Sequence, residues 1–338
     1  MTVCSSFQNE MLGPGNIWEA KQRIAPFVLR TPLIFSSFLS RMTGAEVYLK
    51  LEILQEIGAF KIRGAANKIL TLTPQERERG VATYSTGNHA LAVASVSKKL
   101  GIHAIVCISN RVPREKIEAI ENCGAQVQVI GSSQDDAHMF CRHLAEHEGK
   151  VIIEPFDDPM VIAGQGTIAL EIMEELPDVD LLVVPTSGGG LIGGIALFLK
   201  NNRSNCAVVG VSIEHGAAMH ASLNAGHPVQ VKESDSLADS LLGGIGLDNV
   251  YTFSLVQRYV DDILLISEKE IARGMNALFY KHRLVTEGAA ASGVGAMISD
   301  RLAKKMKARK AVVVITGNNV NMEAFKKVVC LEERGFSE

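Results

Sequence analysis

The chain has 338 residues, 47% of them hydrophobic, enough apolar material to core one large α/β unit or two domains. Its 34 basic and 37 acidic residues leave a formal net charge of -3, a balance that argues against a dedicated nucleic-acid binder or a polybasic membrane-surface protein. Cysteines at 4, 107, 123, 141, 206 and 330 form no Cys-x-x-Cys pair and read as idle thiols in a reducing compartment. The opening "MTVCSSFQNEMLG" has no basic n-region and no apolar h-region, and the longest apolar runs fall far short of a bilayer span. The expectation is a cytoplasmic protein without a membrane partner.

In chain order, short β-branched runs flanked by turn residues predict strands at 46–51, 80–85, 103–108, 126–131, 150–155, 181–186, 207–213 and 311–316. Helical patterns fall between them. "KIRGAANKIL" reads as a helix from 61 to 70, and further helices are predicted at 90–101, 114–124, 134–149 and 191–202. The segment 134–149 is polar nearly all round and reads as a solvated outer layer. Strand and helix alternating this often mean parallel sheets covered on both faces, with an active site at the carboxyl ends of the strands. No internal repeat, low-complexity segment or evident linker interrupts the pattern.

Four features carry possible chemistry. Lys61 stands at a helix start, where the helix dipole disfavours a cation, so its amine has a use or its place is accidental. "STGNHA" (85–90) follows a strand and offers hydroxyl, amide and backbone N–H groups at a helix N-terminus, which suits a carboxylate or serves as a plain N-cap. "TSGGGLIGG" (186–194) places successive glycines before a helix, so that backbone N–H groups can wrap a phosphate. "ITGNN" (315–319) ends the last strand with the neutral hydroxyl of Thr316.

Two motifs point elsewhere. Gly188, Gly190 and Gly193 match G-x-G-x-x-G, with Glu214 at the end of the next strand, which is the pattern of an NAD(P)-binding oxidoreductase. It lies past mid-chain and opens no compact βαβαβ unit. "HLAEH" (143–147) fits a zinc-peptidase pattern, but a polar helix supplies neither further ligands nor a dry cleft.

Taken together, "GAFKIRGA", "STGNHA", the glycine loop and the terminal Thr-Gly resemble the fold-type II pyridoxal-phosphate enzymes, in the threonine/serine dehydratase and serine racemase branch. The resemblance also covers "RTPLIFSSFLS" (30–40), "LKLEILQ" (49–55), "PREKIEAIENCGAQV" (113–127), "PFDDPMVIAGQGTIALEI" (155–172) and "SLADSLLGGIG" (236–246). It implies a tryptophan synthase β-like fold. A large cofactor-binding domain would comprise 1–79 and 157–338, and a small mobile domain 80–156. A homodimer is the family expectation, and a C-terminal regulatory domain is not expected.

The resemblance also implies roles. Lys61 forms the Schiff base with pyridoxal 5'-phosphate, with Phe60 beside it; as a freed amine Lys61 takes the substrate's α-proton. Asn88 bonds the ring oxygen. Ser187, Gly188, Gly189, Gly190 and Leu191 hold the phosphate, Thr316 faces the ring nitrogen, and Glu287 lies near the cofactor. Ser85, Thr86, Gly87 and His89 bind the substrate carboxylate, and Thr86 joins Lys61 as a catalytic candidate. A neutral hydroxyl at the ring nitrogen moderates the electron sink and favours prompt β-elimination. The implied reaction converts a β-hydroxy amino acid such as threonine or serine to a 2-keto acid and ammonia. Glu214 matches the glutamate of a mono- or divalent cation site, although His220 replaces a further acidic ligand.

Departures bear on the substrate. Relatives usually read Thr-Gly-Ser-Phe-Lys at the lysine, where this chain has Ile57, Gly58, Ala59 and Phe60 before Lys61. Thr86 stands in place of the serine that serves as acid and base on the far face of the substrate in racemases, and Gly243 in place of a carboxylate-binding serine. These changes weigh against racemisation. They are compatible with the dehydratase of hydroxyectoine utilisation.

Overall fold

The structure is a computed structural model describing residues 12–85, 87–112, 114–132, 134–203, 205–232, 234–299, 301–302 and 308–331. In chain order the strands are β1 (Leu33–Phe35), β2 (Glu46–Leu51), β3 (Val81–Thr83), β4 (Ala104–Ile108), β5 (Gln126–Val129), β6 (Val151–Ile152), β7 (Leu181–Pro185), β8 (Ala207–Ile213), β9 (Asp262–Ile266) and β10 (Lys310–Ile315). They form a 6-stranded sheet ordered β1-β2-β10-β7-β8-β9 and a 4-stranded sheet ordered β5-β4-β3-β6. Every pairing is parallel except β1 with β2. Parallel strands need crossovers, and the helices that supply them cover both faces. Accordingly β4 and β7 are buried along their whole length.

All the predicted strands are present, several trimmed at their ends. β1 and β9 are additions. β1 is a three-residue run, too short to show a period, and it pairs at the sheet edge. β9 runs directly into the helix Glu268–His282, whose capping box of Ser267 and Glu270 starts at the next residue.

The helix Gln134–Glu148 corrects the expectation of a solvated layer. Ala137, Cys141 and Leu144 are buried at helical spacing and pack with Ile105 and Cys107 of the small sheet. His143 and His147 lie on the outer face with their rings stacked at 4.1 Å. No group of three or more metal-ligating side chains occurs among the described residues.

The helix Lys61–Leu70 lies against the helix Pro159–Glu175 with almost no clearance. A Cβ on Gly164 would stand 2.5 Å from the Arg63 carbonyl oxygen, so only glycine allows this approach. Beneath the contact is a buried group of four charges. Arg63 binds Glu52 through Nε (2.7 Å) and Nη2 (2.8 Å), and Glu171 through Nη1 (2.7 Å) and Nη2 (2.9 Å). Lys50 reaches Glu171 and the Thr31 carbonyl, both at 2.6 Å. Burial opposes the charge on Glu52, but Arg63 and Lys50 outweigh it and hold its carboxyl below the ordinary range. Two positive and two negative groups cancel, which is how charge is tolerated in a core.

Among the described residues, no helix is long and apolar enough to cross a membrane.

Candidate active site

The site assembles where strands from both sheets end. After β2 the chain turns at Gly58, whose φ of +71° lies in the left-handed region. The next residues are pinned to the exit of β10. Phe60 donates its N–H to the Thr316 carbonyl (3.0 Å), Asn318 donates to the Gly58 carbonyl (3.0 Å), and Ala59 bridges Gly317. These bonds fix the first turn of the Lys61 helix, which has no side-chain cap. Ile57 and Ala59, the apolar departures noted above, are buried in a core cluster with Ile62 and Ala90.

Lys61 is half-buried and donates from Nζ to the Pro155 carbonyl at 2.6 Å. Burial lowers its pKa to about 8. A lysine is neutral above its pKa, so the nucleophilic fraction at pH 7 is about 300-fold larger than with the ordinary 10.5. Capture of an aldehyde by the cofactor-free protein is therefore expected to quicken with pH and level off above about 8. A stopped-flow pH series reads this, and a rate still climbing to the ordinary lysine value refutes it.

Asn88 begins the helix Asn88–Leu100 and is held at both ends of its amide. Its Nδ2 donates to Glu287 at 2.9 and 3.1 Å, and its Oδ1 accepts from Asn319 Nδ2 at 2.7 Å. Burial raises the Glu287 pKa, while the Asn88 amide, the Asn319 N–H and the Ser240 hydroxyl oppose that rise by donating to the carboxylate. The structure thus brings Phe60, Lys61, Asn88, Glu287 and Thr316 into one neighbourhood.

The glycine loop joins them through Pro155 and Phe156. Gly189 has φ +89° and precedes the helix Gly190–Asn202 without a side-chain cap. A Cβ on Gly188 would lie 2.4 Å from the Phe156 ring, and one on Gly190 2.8 Å from the Phe156 carbonyl oxygen. The loop is therefore bare backbone, the form that presents N–H groups to a phosphate. Ser187 donates to the Leu242 carbonyl at 3.4 Å, and Leu191 is buried.

The remaining predicted residues divide. Ser85 accepts from the Gly87 N–H at 3.4 Å, and Gly87 leads into the uncapped start of the Asn88 helix. Thr86 lies outside the described residues. His89 turns its ring inward, with Nε2 at 2.9 Å from the Ile153 carbonyl. That carbonyl only accepts, so Nε2 carries the proton and His89 contributes main chain, not imidazole, to the loop. Burial, and secondarily the charge of Lys61, lowers the His89 pKa to about 3. Glu214 pairs with Arg301 at 3.1 Å. Pro155, Phe156, Ser240 and Asn319 had no assigned part in the sequence reading. Pro155 acts through a backbone carbonyl and Phe156 through a packing ring, and neither leaves a motif in the sequence.

A lysine amine made reactive by burial, tied to the residue before the ring that packs on a bare glycine loop, defines an α/β enzyme site for a phosphorylated aldehyde cofactor. Comparison with known proteins agrees. Residues 24–317 match the family model described as pyridoxal-phosphate dependent enzyme. The L-threonine ammonia-lyase of Thermotoga maritima is 41% identical over 314 residues, covering 93% of this chain and 77% of that protein. The catabolic L-threonine dehydratase of Escherichia coli is 39% identical over 313 residues, covering 93% and 94%. The structure of maize serine racemase superposes with a TM-score of 0.89 at 30% identity, covering 97% of this chain and 100% of that one. The chain belongs to the pyridoxal-phosphate dependent enzyme family, and its residues fit that cofactor: a half-buried amine of lowered pKa and a loop in which a Cβ at Gly188 or Gly190 would collide with Phe156.

Proposed function

We propose that this protein is a pyridoxal-phosphate-dependent ammonia-lyase acting on a β-hydroxy amino acid such as threonine or serine, with a 2-keto acid and ammonia as products. The observation that carries the reading is Lys61, with its pKa lowered to about 8, held at the junction of the exits of β2, β6 and β10. The names of the threonine ammonia-lyase and threonine dehydratase relatives support the reaction class.

When bound, pyridoxal phosphate supplies the electron sink that acidifies the substrate's α-proton. Lys61 would hold it through its amine, and the same amine is the group placed to hold that proton. The N–H groups of 187–191 would hold the phosphate, and Phe60 would line the wall. Asn88, held by Glu287 and Asn319, would bond the ring oxygen, and Thr316 would offer the ring nitrogen a neutral hydroxyl. Ser85, Thr86, Gly87 and the His89 main chain orient the substrate carboxylate at the helix start. Glu214 is the residue a mono- or divalent cation would use, in competition with the Arg301 guanidinium.

Residues 80–156 form the small moving domain in this reading, and 1–79 with 157–338 the large one. The 4-stranded sheet supports this, since it is built wholly from β3 to β6. The protein works in the cytoplasm as a homodimer. A dehydratase of another hydroxylated amino acid, as in hydroxyectoine degradation, is the variant of this reading motivated by Ile57 and Ala59. Both pack into the core, so their effect on the substrate is indirect.

The test is a panel of L- and D-β-hydroxy amino acids scored together for ammonia, keto acid and inverted amino acid. The expected result is keto acid and ammonia in equal amounts from at least one L-substrate. Inverted amino acid as the main product makes the enzyme a racemase. A protein that stays colourless with pyridoxal phosphate ends the reading.

A further inference from the structure

The segment 153–158 carries the chain out of β6 and into the helix Pro159–Glu175, and so joins the small sheet to the large one. It is secured along its length. The Ile153 carbonyl accepts from Thr83 Oγ1 at 3.0 Å and from His89 Nε2 at 2.9 Å. The Asp157 carboxylate accepts the N–H groups of Val250, Tyr251 and Thr252 at 2.7, 3.0 and 2.8 Å. Asp158 caps the following helix and pairs with Lys68 at 2.6 Å. Between these fixed points lie Pro155, whose carbonyl takes the Lys61 amine, and Phe156, whose ring fills the space above Gly188.

Of these contacts, the one from Lys61 is changed by covalent chemistry. The geometry points to the connector 153–158 as the docking site of the free Lys61 amine, which passes the covalent state of that amine to the glycine loop through Phe156. The inference rests on the reading of Lys61 as the covalent anchor.

The chemistry is as follows. When the amine joins an aldehyde carbon, a C=N bond forms and the carbonyl oxygen leaves as water. The nitrogen then keeps at most one hydrogen, directed by the plane of the new double bond. When an incoming amine takes over that carbon, Lys61 regains its hydrogens and can donate again to Pro155. As an ammonium it makes a charge-assisted bond, stronger than a neutral one. Each turnover thus makes and breaks a tie between the Lys61 helix and the connector. His89 suits this place because its imidazole stays neutral and does not repel the docked ammonium.

The test is amide hydrogen exchange on the full chain stripped of cofactor, comparing wild type with Lys61→Met, Lys61→Ala and Lys61→Arg. The amides of Phe156, Asp157 and Asp158 are expected to exchange about fivefold faster in the Met and Ala variants, the equivalent of one net hydrogen bond. Peptides from β8 serve as the reference and stay unchanged. Arginine keeps a donor and is expected to remain within about twofold of wild type. Connector exchange that is the same in all four proteins overturns the inference, as does acceleration spread equally to β8. The colour of the loaded wild type is scored separately. Yellow protein with no difference in exchange removes the docking role alone, whereas colourless protein removes the anchor reading on which the inference rests.

Discussion

Lys61→Ala is expected to remain folded, to stay colourless with pyridoxal phosphate, and to lose keto-acid production by about 10³-fold or more. The two halves of this result have separate causes. The stability terms nearly cancel. Removing a cation from the first turn of a helix gains roughly 0.3–1 kcal/mol, and alanine is the best helix former. Against that stands the bond to Pro155, worth about 1 kcal/mol net. The variant should therefore melt within a few degrees of wild type. The catalytic loss has no such compensation, because no neighbouring group replaces the amine. Lys50, buried near this helix, is committed to Glu171 and the Thr31 carbonyl, and Lys68, on the helix itself, is paired with Asp158. Borohydride reduction followed by peptide mapping should place the cofactor on Lys61 in wild type and nowhere in the variant. An adduct on another lysine, or activity kept within tenfold, removes Lys61 from the centre of the mechanism.

The sheets were legible because buried parallel strands leave continuous β-branched runs, as in "LLVVP" and "AVVVI". The glycine loop was legible because glycine is the residue a close backbone approach requires. β1 was not, since three residues at an edge carry no period. The buried stripe of the Gln134–Glu148 helix was masked by polar residues such as His143, Glu146 and His147, which are exposed. The part of Pro155 was invisible for a different reason: its carbonyl, not its side chain, receives Lys61, and every residue has a carbonyl. His89 was read from its position beside Asn88, but the direction of its ring depends on where β6 ends, which is a long-range fact. Lys50 and Glu52 lie at the end of a predicted strand with no motif that marks them as paired. Only their meeting with Arg63 and Glu171 from distant helices makes them core residues.

Arg63→Met should cost about 3–5 kcal/mol of stability, because it leaves Glu52 and Glu171 buried with a single cation between them. Methionine fills much of the space, so the loss is chiefly electrostatic and should carry a pH signature. In wild type the Glu52 pKa is lowered, so the group contributes stability that is present above its unfolded pKa of 4.5 and lost as pH falls through the folded value. In the variant the same carboxyl is raised by burial with no guanidinium to offset it. The folded variant then binds protons more readily than the unfolded chain, and its relative stability improves as pH falls. Urea unfolding at neutral pH and again about two units lower should show the gap to wild type narrowing. Arg63→Lys should keep part of the wild-type stability and not all of it, since an ammonium cannot offer paired N–H groups to two carboxylates at once. An Arg63→Met protein within about 1 kcal/mol of wild type at neutral pH would mean that water or rearrangement already screens the cluster. Arg63 lies two residues after Lys61 on the same helix, so the unfolding series should be paired with the rate of cofactor capture. If the cluster only stabilises the fold, capture by the folded fraction stays at the wild-type rate. If it also sets the reach of Lys61 toward Pro155 and the glycine loop, capture slows while the protein is still folded.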